Sequence, residues 1–256
     1  MPSVRIDDTS EIHYRDIGDG TPALLVHGWA VSGHVFDRML PLAGVRCIVP
    51  DHRGTGASTT AVEPVSVERL GRDMIAAADG AGLTTFTLVG HSMGGQIAQW
   101  IASEIPDRVT TLVLINPVPA SGMQLPPDAH ELFLTAGGDR GKLGAILDLA
   151  CTELTPADRE WMLDDATPIA PGRVARMFQM WSGASFIDRL AAITARTLVI
   201  ATDDPFLPPE FLRTAIVDRI AGAQLRVLAG PGHYPVVERP AETASIVRAF
   251  ITGSTP

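Results

Sequence analysis

Short apolar runs and helical stripes alternate along most of this chain. The runs at 23–26 and 111–115 are continuously apolar or β-branched, the pattern of strands buried on both faces. Similar runs at 45–49, 86–89, 197–200 and 225–228 predict further strands, each followed by glycine, proline or a polar residue within a few positions. Two short strands are predicted earlier, at 4–6 and 11–14, separated by the turn Asp7-Asp8-Thr9-Ser10, and Gly18-Asp19-Gly20 makes the next turn. Between the runs lie helical stripes. Val67, Leu70, Met74, Ile75 and Ala78 line up within 65–81, and Ile97, Ala98, Ile101 and Ala102 share a face after Ser92. Helices are also predicted at 34–42, at 210–220 and at 241–251, the last opened by Pro240. Strands separated by helices predict an α/β fold, with a mostly parallel central sheet and helices on both faces.

The rhythm changes after Pro117. The stretch 118–186 carries helix-like pieces and no convincing strand. Thr155-Pro156-Ala157-Asp158 is a helix start, with a capping threonine, proline at the first position and an acid three residues on. Val174, Met177, Phe178 and Trp181 fall at i, i+3, i+4 and i+7 of one helix. The expected organisation is therefore a core domain from 1–117 and 187–256, with 118–186 inserted as a helical cap, or lid.

One motif organises the chemistry. The apolar run at 86–89 stops at Gly90-His91-Ser92-Met93-Gly94-Gly95, and a helical pattern starts directly behind it. A strand that turns this sharply into a helix holds its turn residue in a strained conformation with the side chain exposed. Ser92 is thus the candidate nucleophile. The backbone N–H of Met93, at the helix start, is a candidate donor to an oxyanion. Serine needs a base, and the base needs an orienting group. In parallel sheets, sites gather at the carboxyl ends of the strands. Asp203-Asp204-Pro205 follows the strand at 197–200, and Gly230-Pro231-Gly232-His233-Tyr234 follows the strand at 225–228. The order Ser…Asp…His makes His233 the base and either aspartate its partner.

Composition narrows the function classes. Of 256 residues, 46% are hydrophobic and 19% charged, which suits one packed domain and excludes a disordered chain. The net charge is −9 with no basic run, so neither nucleic acid nor an anionic membrane surface is an expected partner. No apolar run approaches a membrane span, and residues 1–8 lack a signal core, so a cytoplasmic location is expected. Cys47 and Cys151 are expected to be two free, buried thiols. No cluster of His, Cys, Asp or Glu has metal-ligand spacing, and Gly54-x-Gly56 lacks the rest of a dinucleotide fingerprint, so no metal or cofactor is expected.

Five motifs in order carry a family resemblance: His27-Gly28-Trp29; Asp51-x-Arg53-Gly54-x-Gly56-x-Ser58; Gly90-His91-Ser92-Met93-Gly94-Gly95; Asp204-Pro205-x-x-Pro208; and Gly232-His233 with Glu238-x-Pro240 behind it. Along nearly its whole length the chain resembles the α/β-hydrolase superfamily, and within it the small capped esterases and the cofactor-free haloperoxidases, or perhydrolases. The resemblance implies that Asp204 rather than Asp203 pairs with His233, since the family's acid precedes a short loop ending in proline. It also implies that the Trp29 N–H is the second oxyanion donor. His27, His52 and His91 are then structural braces, and Asp51 and Arg53 stabilise a turn. Trp29, Phe178, Trp181, Leu207 and Tyr234 are the candidate pocket residues, although the Phe178–Trp181 stripe fits the interior of a cap equally well. The function expected is hydrolysis of a small carboxylic ester through an acyl-enzyme. A lactonase, a carbon–carbon bond hydrolase, a perhydrolase and a cofactor-free dioxygenase share the fold. Ala30 stands where many perhydrolases carry proline, which weighs against that reading. A slow small-molecule receptor is the rival of another class. The partner expected in every case is a small molecule, an ester or lactone for a hydrolase.

Overall fold

The computed structural model describes residues 1–60 and 64–254. Eight strands form one sheet: β1 (Ser3–Asp7), β2 (Ser10–Ile17), β3 (Thr21–Val26), β4 (Val45–Pro50), β5 (Phe86–His91), β6 (Val109–Ile115), β7 (Arg196–Thr202) and β8 (Gln224–Leu228). Their order is β1-β2-β4-β3-β5-β6-β7-β8. β1 and β2 run antiparallel to their neighbours, and all pairs from β4 through β8 are parallel. β3 and β5 are buried at consecutive positions because helices cover both faces of the sheet there. β8 closes one edge and is largely exposed, with Val227 facing outward.

Register places the strand ends side by side. Val26 lies opposite Gly90, His91 opposite Ile115, Ile115 opposite Ile200, and Thr202 opposite Leu228. The loops that leave β3, β5, β6, β7 and β8 therefore emerge along one edge of the sheet. Gly28, Ser92, Asn116, Asp204 and His233 sit in those loops.

The covering helices follow the sequence pattern. α1 (Val67–Gly80) starts where the Ser66 hydroxyl accepts from the Arg69 N–H, slightly later than the stripe alone implied. α2 (Met93–Glu104) runs from the sharp turn after β5. The fully buried Arg53, in the loop after β4, clamps that loop to α1 through two 2.6 Å bonds to Asp73. Four helices separate β6 from β7: α3 (Pro127–Leu134), α4 (Arg140–Ala150), α5 (Pro156–Ala166) and α6 (Pro171–Gly183). The chain ends with α7 (Pro209–Ala215), α8 (Pro235–Glu238) and α9 (Pro240–Thr252).

Two predicted helices differ. The one expected at 34–42 is only a 3-10 turn, Gly33–Phe36. Arg15 takes the Gly33 carbonyl, and Pro41 has no N–H to continue a helix. The one expected at 210–220 stops at Ala215, because Ile216 leaves helical geometry and becomes fully buried. Cys47 and Cys151 are both free. Cys47 is buried, whereas Cys151 is only partly so.

Candidate active site

β5 is buried along its whole length and delivers Ser92 to a turn with φ 56° and ψ −124°. A side-chain-bearing residue is strained there, and its surroundings hold it. The Ser92 N–H donates to Ile115 at 3.0 Å, and its carbonyl accepts from Gly95 at 2.8 Å and Val118 at 3.0 Å. The turn is tight enough to require glycine on both sides. A Cβ on Gly94 would stand 2.1 Å from the Val26 carbonyl oxygen, and one on Gly90 would stand 2.5 Å from that of Gly94.

The serine hydroxyl meets a charge-oriented imidazole. His233 Nε2 is 2.8 Å from Ser92 Oγ, and His233 Nδ1 is 2.6 Å from Asp204 Oδ2. A carboxylate accepts only, so Nδ1 carries the proton and Nε2 is free to receive one from the hydroxyl. Burial pushes the Asp204 carboxyl up. The charge of His233, its hydrogen bond and the N–H groups of Phe206 and Leu207 outweigh that, and Asp204 is held below the ordinary carboxylate range. Asp203 faces away and accepts from the Gly230 N–H at 2.8 Å, bracing the loop that carries His233.

That loop is fixed from several directions. The His233 N–H donates to the Ala150 carbonyl, at the end of α4, at 2.8 Å. The His233 carbonyl accepts from His91 Nε2 at 2.8 Å and lies 3.2 Å from Asn116 Nδ2. Asn116 Nδ2 also donates to Thr202 Oγ1 at 2.7 Å, and that hydroxyl donates to the Gly232 carbonyl at 2.6 Å. Asn116 itself sits at φ 38°, another strained position at a strand end.

The loop after β3 is fixed from the helices between β6 and β7. Trp29 Nε1 donates to the Val174 carbonyl of α6 at 2.8 Å. The N–H and hydroxyl of Ser32 donate to the two oxygens of Asp165, on α5, at 2.7 and 2.6 Å. Ala30, between them, has φ 52°. Among the described residues, the backbone N–H groups of Trp29 and Met93 have no protein acceptor. α2 is tied to the segment between β6 and β7 as well: Gln96 Nε2 donates to the carbonyls of Pro119 and Trp181, and Gln99 Nε2 to that of Val118.

A narrow apolar cavity opens on the serine. Ser92 and His233 share it with Trp29, Phe133, Trp181, Phe206 and others. The three other motif histidines lie in the protein interior. His27 Nδ1–H donates to Gly28 and its Nε2 accepts from the His52 N–H, while His52 Nε2 donates to the His27 carbonyl. Burial holds His27 and His91 down at about 3 and lowers His52 in the same sense, so all three are neutral. Among the described residues, no group of three His, Cys, Asp or Glu is placed to hold a metal ion, and no helix is long and apolar enough to cross a membrane.

Comparison with known proteins bears on the family and the fold. The model of the alpha/beta hydrolase family matches residues 23–246. The chain belongs to the alpha/beta hydrolase family. It is similar to the non-heme chloroperoxidase CPO-A1 of Kitasatospora aureofaciens, with 32% identity over 91% of this chain and 92% of that protein. Among solved structures it resembles a thermophilic esterase from Thermogutta terrifontis, with 26% identity, a TM-score of 0.84 and coverage of 98% of this chain and 96% of that one. It also resembles Est816, described as an N-acyl homoserine lactone degrading enzyme, with 29% identity, a TM-score of 0.84 and coverage of 97% of this chain and all (100%) of that one.

Within this alpha/beta hydrolase, then, Ser92, Asp204 and His233 come together from three strand ends. Trp29, Trp181, Leu207 and Tyr234 border the cavity. Phe178 does not. It is fully buried behind the cavity, packed edge-on against Trp181 at 5.1 Å and tilted against Phe133 at 5.6 Å. The reading of the Phe178–Trp181 stripe as either interior or contact thus splits between its members. Sequence reasoning missed Phe133, Phe206, Met123, Val118, Ile146 and Ala150 on the cavity wall. It also missed Asn116 and Asp165. For Asn116 a signal existed: a polar residue directly after a buried strand, at the edge where sites form.

Proposed function

We propose that this chain is a serine hydrolase that cleaves a carboxylic ester of modest size through an acyl-enzyme. The observation that carries the reading is the line from Ser92 Oγ through His233 to Asp204, at 2.8 and 2.6 Å. His233 takes the hydroxyl proton as Ser92 attacks the carbonyl carbon. The oxyanion rests on the N–H groups of Trp29 and Met93, which have no protein acceptor among the described residues, each worth about 3 kcal/mol in such a role. His233 then gives its proton to the departing alcohol. A water molecule, activated by the same ring, releases the acid. The insertion 118–186 acts as a cap that walls the site with Phe133 and Trp181 and excludes solvent from the acyl group.

A second reading has one specific support, the similarity to a non-heme chloroperoxidase. Hydrogen peroxide in place of water at the second step would convert the same acyl-enzyme into a peroxy acid and free Ser92. The two readings share every step up to deacylation.

The test compares purified wild type with Ser92→Ala on p-nitrophenyl esters. The reading expects turnover in the wild type and a loss of at least about a thousandfold in a folded variant. Full activity in folded Ser92→Ala would overturn it. Halogenation or peroxy-acid formation with peroxide, measured beside hydrolysis, decides the second reading.

A further inference from the structure

The cavity that meets Ser92 is small and mostly apolar. Its volume is about 40 Å³, room for about three water-sized groups. No carboxylate, lysine or arginine borders it, so a charged group inside would have no counter-charge. Beyond Ser92 and His233, the residues that border it bring three polar side-chain groups: the N–H of Trp29, the N–H of Trp181 and the hydroxyl of Tyr234. Trp29 gives its N–H to the Val174 carbonyl, and the N–H of Trp181 is sealed in the interior. That leaves Tyr234.

Tyr234 is 7% exposed, and among the described residues its hydroxyl meets no hydrogen-bond partner. Its oxygen is not sealed as the Trp181 N–H is. Burial pushes the phenol up, so it keeps its proton and can donate as well as accept. The side chain is also held in place. Its ring lies against the rings of His91 and His233, with centroids 5.0 Å apart in each case. Its carbonyl accepts from the N–H groups of Val237 and Glu238, both at 2.8 Å.

A fixed water does not satisfy this hydroxyl. Tyr234 borders one further space beside the first, of about 20 Å³, which is room for a single water. A buried water needs two or more polar partners. The other side chains there are apolar, Leu143, Leu147, Met162 and Leu163 among them, or already bonded, as Trp29 is. A buried hydroxyl without a partner is costly, and a ligand that supplies one is favoured over a ligand that does not.

We propose that Tyr234 is a specificity-determining residue of this site, and that the substrates are esters of short, neutral acids whose acyl chain carries a hydroxyl or ether oxygen. The Tyr234 hydroxyl bonds that oxygen. This rests on the acyl-enzyme reading above. The alcohol departs first, through the mouth where Met123 and Phe206 are only partly buried, and the acyl group keeps the enclosed space. A hydrocarbon chain of the same size leaves the hydroxyl unpaired and is discriminated against.

The experiment measures kcat/KM on two isosteric pairs, phenyl glycolate against phenyl propionate and phenyl methoxyacetate against phenyl butyrate, for wild type and Tyr234→Phe. The oxygen also changes the intrinsic reactivity of the ester, but equally for both proteins, so the ratio within each pair is compared between them. In at least one pair, the preference for the oxygen-bearing ester should be at least tenfold larger in the wild type. Preferences that agree within about threefold in both pairs would overturn the proposal and leave the esterase reading standing. A preference that Tyr234→Phe removes only when the oxygen lies in the alcohol, read on 2-methoxyethyl acetate against butyl acetate, would overturn the assignment to the acyl chain. Titration of the Ser92→Ala protein with methyl methoxyacetate and methyl butyrate, followed by protein NMR, reads recognition without turnover and without altering Tyr234. The methoxyacetate should bind at least fivefold more tightly, and equal affinity would count against the proposal. That binding preference in a protein whose wild type turns over no ester would contradict the esterase reading and leave recognition by Tyr234 standing.

Discussion

The backbone N–H of His233 donates to the carbonyl of Ala150, the last residue of α4, at 2.8 Å. The proposed base is therefore seated on α4 as well as on the sheet. Gly232 makes the contact possible, since a Cβ there would stand 2.3 Å from the same carbonyl oxygen. Gly232→Ala should push the His233 loop off α4 and misplace the imidazole. A shift of about 1 Å costs on the order of a hundredfold in rate. Ester turnover should fall by that order while far-ultraviolet circular dichroism remains that of the wild type. Unchanged kcat would show that the contact does not position His233.

Asn116 holds the same loop from below, through Thr202 and the carbonyls of Gly232 and His233. Asn116→Gly keeps the positive φ accessible and removes only the amide. The two carbonyls it leaves keep His91 and Thr202 as donors, so a stability loss of only about 1 kcal/mol is expected in urea unfolding. The kcat should drop about tenfold, with the larger effect on kcat than on KM, because the substrate cavity is not touched.

Asp165 reaches from α5 to the loop that carries the Trp29 N–H, where it accepts from both donors of Ser32. Hydrogen bonds to a charged acceptor contribute about 1.5–3 kcal/mol each, less where partly exposed. Asp165→Ala should destabilise the protein by about 2 kcal/mol in thermal or urea unfolding and lower kcat by loosening the loop proposed to hold the oxyanion. Asp165→Asn, which keeps an acceptor for the Ser32 N–H, should recover part of the rate. Equal rates for the two variants would argue that Asp165 serves only the fold.

Acid should destabilise this protein well above the carboxylate range. Burial holds His27 and His91 at about 3 in the folded chain, against 6.5 for an ordinary histidine. Between these values the unfolded chain binds protons that the folded chain excludes. Stability is therefore full above pH 6.5 and falls as pH drops towards 3, by about 1.4 kcal/mol per unit for each such histidine. The melting temperature should fall steadily between about pH 7 and pH 5. His27→Gln should flatten that slope even though it lowers stability at neutral pH. A slope unchanged in the variant would contradict the assignment.

Much of this architecture was legible because strand and helix carry different periods. The strands at 23–26, 86–89 and 111–115 are buried on both faces and read as apolar runs, and the helical stripe after Ser92 names α2. The order of Ser92, an aspartate at 203 or 204, and His233 beyond strand ends was readable for the same reason, and the family resemblance pointed to Asp204. What was not legible depends on contacts between distant segments. Nothing local to Asp165 says that Ser32 lies against it, and nothing local to Ala150 says that its carbonyl meets His233. Phe178 and Trp181 share a helical stripe, yet of the two only Trp181 borders the cavity, while Phe178 packs against Trp181 and against Phe133 of another helix. The helix expected at 34–42 failed because Arg15, far earlier in the chain, captures a carbonyl that a helix would have used.

The most direct test of the proposed chemistry is the intact mass of the protein after treatment with a serine-reactive p-nitrophenyl phosphonate. The wild type should gain one phosphonyl group, at Ser92 by peptide mapping. His233→Ala should label far more slowly, and folded Ser92→Ala should not label at all. A single adduct on Ser92 that depends on His233 is the result predicted. Labelling that persists in Ser92→Ala, or none in the wild type, would contradict Ser92 as the nucleophile.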